Sequence, residues 1–172
     1  MEIVLTGYYQ YFFGIYLIMH GLIHLSIVNY SEESGKPVGW NRKSWLFSGK
    51  LAPELISLLG RIAWLGVIIL YILAGIGIFN LPGLKSLTTQ FIGIASIIAL
   101  IAFIVFIDGL KPTPYNWLIG IAIDIVLVLY LTILKDETQL VMIFLHVLAL
   151  MGFIVVFISD VLPELRKANE KK

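Results

Sequence analysis

VLTGYYQYFFGIYLIMHGLIHLSIV, residues 4–28, contains no Asp, Glu, Lys or Arg. A helix rises about 1.5 Å per residue, so about 20 apolar residues cross a hydrocarbon core about 30 Å thick. The stretch is long enough to do so. No basic region precedes it, it is too long for a signal-peptide core, and no small-residue cleavage site ends it, so it is expected to persist as a helix. At about 100° per residue, Tyr9, Phe13, Tyr16, His20 and His24 share one stripe, and Gly7, Gly14 and Gly21 another. The first face is polar and aromatic. The second is smooth, as a close helix–helix seam in lipid requires.

The rest of the chain repeats the pattern. Its 172 residues are 59% hydrophobic and 13% charged, with mean hydropathy +0.96, whereas a soluble domain carries about 25% charge. Five segments reach spanning length, at about 4–28, 57–80, 86–108, 115–134 and 139–162, and Pro, Gly and charged residues separate them. None alternates as a barrel strand would. The fold class is therefore all-α, a single integral membrane helical bundle of five transmembrane helices over residues 1–172. Ala95, Ala99 and Ala102 in the third span, and Ala149 with Gly152 in the fifth, extend the expectation of small-residue packing.

Charge sets the expected orientation. Lys36, Arg42, Lys43 and Lys50 lie in the first connection, Lys111 in the third, and Arg166, Lys167, Lys171 and Lys172 in the tail 163–172; the other side holds Lys85 and Lys135. Positive residues stay inside during insertion, which predicts N-out and C-in in a cell membrane, with a cytoplasmic tail. Trp40, Trp45 and Trp117 fall near the inner ends of spans, where amphipathic rings settle at headgroup level. Between the first two spans, 31–56 mixes Trp40, Trp45, Leu46, Phe47 and Leu51 with Arg42, Lys43 and Lys50. That mixture predicts a short interfacial helix on anionic lipid.

Ionisable groups inside spans are the candidate site residues, because a charge in hydrocarbon costs several kcal/mol. They are His20, His24, Arg61, Asp124, His146 and Asp160. Arg61 either snorkels to the interface or enters a buried ion pair. Helical rise places His20 about 10 Å from the inner boundary, Asp124 about 13 Å, His24 and Arg61 about 5 Å, and His146 about 20 Å. Two polar layers are thus expected, His20 with Asp124 at mid-depth and His24 with Arg61 and Asp160 at the inner end. An imidazole beside a carboxylate lowers the desolvation cost of both. Such layers either form a buried proton relay or polar substrate site, or only fix packing.

Sharper chemistries have less support in the pattern. His20 and His24 at i, i+4 have the facial spacing of metal ligands, but no HExxH motif accompanies them and no metal is expected. Two imidazoles on one helix do not reach opposite faces of one haem, and His146 lies about 10 Å deeper than His20. No cofactor is therefore expected, haem or quinone being the residual possibilities. The absence of cysteine excludes disulfides and thiolate sites. There is no nucleotide-binding motif, Gly75 and Gly77 being span residues suited to packing or a kink, and the short basic tail reads as a membrane anchor with no nucleic-acid role.

The runs Gly21-Leu22-Ile23-His24-Leu25, Lys43-Ser44-Trp45-Leu46 and Trp117-Leu118-Ile119-Gly120, the last with Asp124, resemble small prokaryotic membrane proteins, and their general look is similar to DoxX-like four-helix bundles. The resemblance implies a compact bundle, sometimes with quinone or sulfur redox partners. This chain departs from it by a fifth span and by having no cysteine. Three function classes remain. The first is a non-enzymatic membrane subunit or accessory protein, packing in lipid against other membrane subunits or a second copy. The others are a small transporter or proton-coupled channel using His20 and Asp124, and a haem- or quinone-associated redox protein.

Overall fold

A computed structural model of the chain describes residues 7–28, 39–111, 114–134, 136–156, 158 and 162. The element order is α1 (Tyr8–Ile23), α2 (Leu25–Val28), β1 (Gly39–Trp40), α3 (Pro53–Ile78), α4 (Thr88–Phe106), β2 (Leu110–Lys111), α5 (Pro114–Thr132) and α6 (Thr138–Val156). Four helical stretches are long and apolar enough to cross a membrane, Tyr8–Val28, Pro53–Ile78, Lys85–Gly109 and Thr138–Val155, and Trp117–Thr132 is a shorter apolar helix.

The helices pack in chain order, α1 on α3, α3 on α4, α4 on α5 and α5 on α6. The ring returns to α1 where Phe12 stacks on His146 of α6 with centroids 3.6 Å apart. Inward faces follow the helical repeat. Ile56, Gly60, Trp64, Val67, Tyr71, Ala74 and Ile78 are the buried side of α3, and Thr88, Ile92, Ala95, Ala99, Ala102 and Phe106 that of α4. The outward faces are equally apolar. Ile62, Leu65 and Ile69 on α3, Ile94, Ile97, Ile101 and Ile104 on α4, and Ile143, Val147, Leu150 and Ile154 on α6 are all exposed. Contiguous outward stripes of exposed Ile, Leu and Val on three helices are the kind of surface that a bilayer or a partner covers.

Close approach decides the contact of α1 with α3. A Cβ built at Gly75 would stand 2.6 Å from the Gly14 carbonyl oxygen and 2.6 Å from Ile18 Cγ1, and one at Gly21 would stand 2.9 Å from Tyr71 Cβ. Gly14, Gly21 and Gly75 are thus the seam. Gly7, expected on the same face, has nothing within 4 Å. Ala95, Ala99 and Ala102 are buried as the small-residue reading requires.

The first connection differs from expectation. Among its described residues there is no helix before Pro53; Gly39–Trp40 pairs antiparallel with Leu110–Lys111, and 41–52 is a series of turns. Ser44 explains part of the difference. Its hydroxyl donates to the Val105 carbonyl at 2.7 Å, and its amide donates to Ser48 Oγ at 3.0 Å, so hydroxyls tie the loop to the end of α4. Trp40 is 1% exposed and does not lie at a lipid surface. It fills the space left by the missing side chains of Gly60 and Gly109, rests on Phe106, and donates Nε1–H to the Lys43 carbonyl at 2.7 Å. Residues 31–38 and the tail 163–172 lie outside the described residues.

Candidate functional site

Four helices bring their few polar side chains to one place in the bundle. His20 of α1 and Asp124 of α5 meet with Nε2 and Oδ1 3.1 Å apart, and both are buried. This is the ion pair formed among the described residues when the imidazole is protonated. Tyr71 of α3 donates its hydroxyl to the same carboxylate oxygen. Its oxygen is also 2.8 Å from Ser96 Oγ of α4, and Ser96 Oγ is 2.9 Å from the Ile92 carbonyl. A carbonyl only accepts, so the single Ser96 proton serves either Ile92 or Tyr71.

His24 completes the cluster from the junction of α1 and α2. Its backbone amide bonds the Gly21 carbonyl at 3.1 Å, a tightened turn, while its Nδ1 lies 2.8 Å from the His20 carbonyl. Because that carbonyl only accepts, Nδ1 carries the proton and Nε2 faces inward. The ring lies 5.0 Å from that of His20, 5.7 Å from Trp64, 6.0 Å from Phe103 and 6.2 Å from Tyr71, centroid to centroid. One ligand-type atom from each of His20, His24 and Asp124 falls within 4.8 Å of the others.

His24 therefore does not form a separate inner-end layer with Arg61. Side chains on a helix lean toward its N-terminus, which carries the His24 ring back over the turn that holds His20. Arg61 is exposed and lines an open groove with Arg42, Lys43, Glu54 and Asp108. Asp160 lies outside the described residues. His146 is remote, at the opposite end of α1. Its Nδ1 donates to the Met142 carbonyl at 2.6 Å, and Nε2 meets the Tyr8 hydroxyl at 2.7 Å. Trp45 is exposed and donates Nε1–H to the Ile104 carbonyl at 2.6 Å, whereas Trp117 is half-buried with its ring 6.4 Å from Phe103.

Not every polar atom here is paired. Tyr16 Oη, His24 Nε2, Trp64 Nε1 and Asp124 Oδ2 are buried and have no hydrogen-bond partner. All four belong to this cluster or to rings in its wall, Tyr16 standing 6.4 Å from His20. The chain matches no family model, no curated protein and no solved structure.

A search of the sequence for charges and imidazoles passes over Tyr71 and Ser96, which are neutral hydroxyls in long apolar runs. Their signal was available. Any hydrogen-bonding side chain at mid-span needs an internal partner, because lipid supplies none.

Proposed function

We propose that this is an integral membrane protein, N-terminus outside and C-terminus in the cytoplasm, that binds a small ligand or ion in a polar centre within its helix bundle. His20, His24 and Asp124 make the polar contacts, and Tyr71, whose hydroxyl also meets Ser96, holds the carboxylate in place. The observation that supports this most is the set of unpartnered buried atoms, above all His24 Nε2 and Asp124 Oδ2. A layer that served packing alone would pair its donors and acceptors, because each buried polar atom left unmade costs about 1–3 kcal/mol, and more if charged. Here pairing stops halfway round both side chains.

The accessory-subunit reading rests on the exposed apolar stripes, which a lipid bilayer covers equally well. The haem reading needs a second, opposed imidazole, and both nitrogens of His146 are already engaged. A mass-spectrometric inventory of species retained through purification in mild detergent separates the readings. The wild type is expected to keep one species near stoichiometry that His24→Gln and Asp124→Asn lose while remaining folded. Identical inventories in all three would defeat the binding reading and leave the accessory role.

A further inference from the structure

The donor set of this centre specifies a class of ligand. We propose that His20, His24 and Asp124 coordinate a divalent first-row transition cation such as Zn²⁺, Fe²⁺, Mn²⁺ or Co²⁺. The proposal rests on the reading of the cluster as a binding centre and names what it binds.

Geometry carries it first. Ligand atoms held about 2.0–2.1 Å from a metal in tetrahedral or octahedral arrangement stand about 3 Å from one another. The His20 Nε2 to Asp124 Oδ1 separation, 3.1 Å, already matches one such edge. The third ligand atom lies no more than 4.8 Å away, so closure needs a side-chain movement of roughly 1.5 Å against that ideal edge. His20 and His24 sit one turn apart on the same stripe, and α5 brings the carboxylate across to meet them.

The outer contacts are those of ligating side chains. A metal-bound imidazole donates its other N–H to a carbonyl or carboxylate, which fixes the tautomer and aims the bare nitrogen. His24 does this through Nδ1 and the His20 carbonyl, and its Nε2 is buried without a partner. His146 makes the same bond to a carbonyl four residues back, yet its Nε2 is satisfied by Tyr8. The orphaned nitrogen distinguishes His24. Tyr71 anchors Asp124 in the corresponding way, and Oδ2 of that carboxylate also lacks a partner.

Chemistry narrows the cation. Two imidazole nitrogens and one carboxylate oxygen form a borderline set, unlike the all-oxygen shells of Ca²⁺ and Mg²⁺ or the sulfur ligands of Cu⁺. A divalent cation also neutralises a carboxylate that is 0% exposed. Three protein ligands leave at least one coordination position open for water or a substrate.

The test uses full-length protein in mild detergent, freed of any histidine tag, stripped with a chelator and titrated with Co²⁺. One equivalent is expected to bind with visible d–d absorption, and Zn²⁺ is expected to displace it. His24→Gln and Asp124→Asn should weaken binding more than about 100-fold, and Tyr71→Phe, which removes a hydroxyl that holds the carboxylate but supplies no ligand atom, by about 10–100-fold. His146→Ala should bind as the wild type does. Absence of Co²⁺ and Zn²⁺ uptake by the wild type, or wild-type titration by His24→Gln, overturns the metal site. If the wild type then still retains another species that His24→Gln loses, the binding centre stands and the metal falls. If nothing is retained and the variants only lower the melting temperature, both fall.

Discussion

At the residue scale, Asp124 is the group whose cost has to be met. Its side chain is fully buried, where an ionised carboxylate costs several kcal/mol unless hydrogen-bonded, and only Oδ1 is paired. Oδ1 is held by His20 and Tyr71, and Tyr71→Phe removes the second of these bonds together with the Ser96 contact while keeping the ring, so it is expected to destabilise the protein by about 1–3 kcal/mol. Thermal unfolding in detergent measures this. An unchanged midpoint would show that the hydroxyl contact contributes nothing. The pairing of His20 with Asp124 was legible because counting helical rise along two spans places both at similar depth. The position of His24 was not, because that count follows the helix axis and ignores the lean of side chains toward the N-terminus. Because α1 and α5 run in opposite directions, the His24 and Asp124 side chains lean toward each other. A nominal depth difference of about 8 Å then overstates their separation.

At the element scale, the position of His20 depends on how closely α1 lies on α3. Gly21, next in sequence to His20, sits against Tyr71, and Gly75 one turn further along α3 sits against Gly14 and Ile18. Gly75→Ala is expected to force the helices apart and cost about 1–3 kcal/mol. Gly66→Ala, with nothing within 4 Å of the added carbon, should be neutral or stabilising by up to about 1 kcal/mol through helix propensity. The melting temperature should therefore fall for Gly75→Ala and hold or rise for Gly66→Ala, and equal losses would show that Gly75 makes no closer contact than Gly66. Residue type and period disclose that seam on α1, whereas for its partner Gly75 they specify no more than packing or a kink. The connection 39–52 was illegible for a different reason. Basic residues interleaved with Trp and Leu describe an interfacial helix and a folded-back loop equally well, and what selects the loop is remote. Ser44 finds the Val105 carbonyl, and Trp40 finds the gap at Gly60 and Gly109. Trp40→Ala should cost about 3–5 kcal/mol, as burial of a large indole implies, whereas loss of an interfacial anchor would cost far less. Chemical or thermal unfolding of the variant checks it.

At the scale of the whole molecule, the contacts decide which connections share an end, and charge decides which side that end faces. Pairing of Gly39–Trp40 with Leu110–Lys111 joins the first and third connections, and the groove beside them gathers Arg42, Lys43 and Arg61. Lys85 lies in the turn at the far end of α3 and α4. Two loops about 70 residues apart in sequence thus form one basic cap, and the proposed orientation places that basic end inside. The chain has no cysteine, so a single introduced thiol is a unique reporter. Lys50→Cys, at the basic cap, is expected to resist a membrane-impermeant maleimide applied to intact cells and to react once the membrane is opened. Ser86→Cys, in the turn before α4, should react from outside without permeabilisation. The opposite pattern would invert the orientation, and equal reaction of both in intact cells would contradict a membrane-spanning arrangement altogether. Because α5 leaves the basic cap and α6 returns toward it, Asp136 belongs with Ser86. Asp136→Cys should therefore label from outside as Ser86→Cys does. Protection of Asp136→Cys together with labelling of Ser86→Cys would mean that α5, whose apolar stretch Trp117–Thr132 falls short of the four spanning ones, does not cross. Asp124 would then meet His20 from a helix that enters the membrane without spanning it.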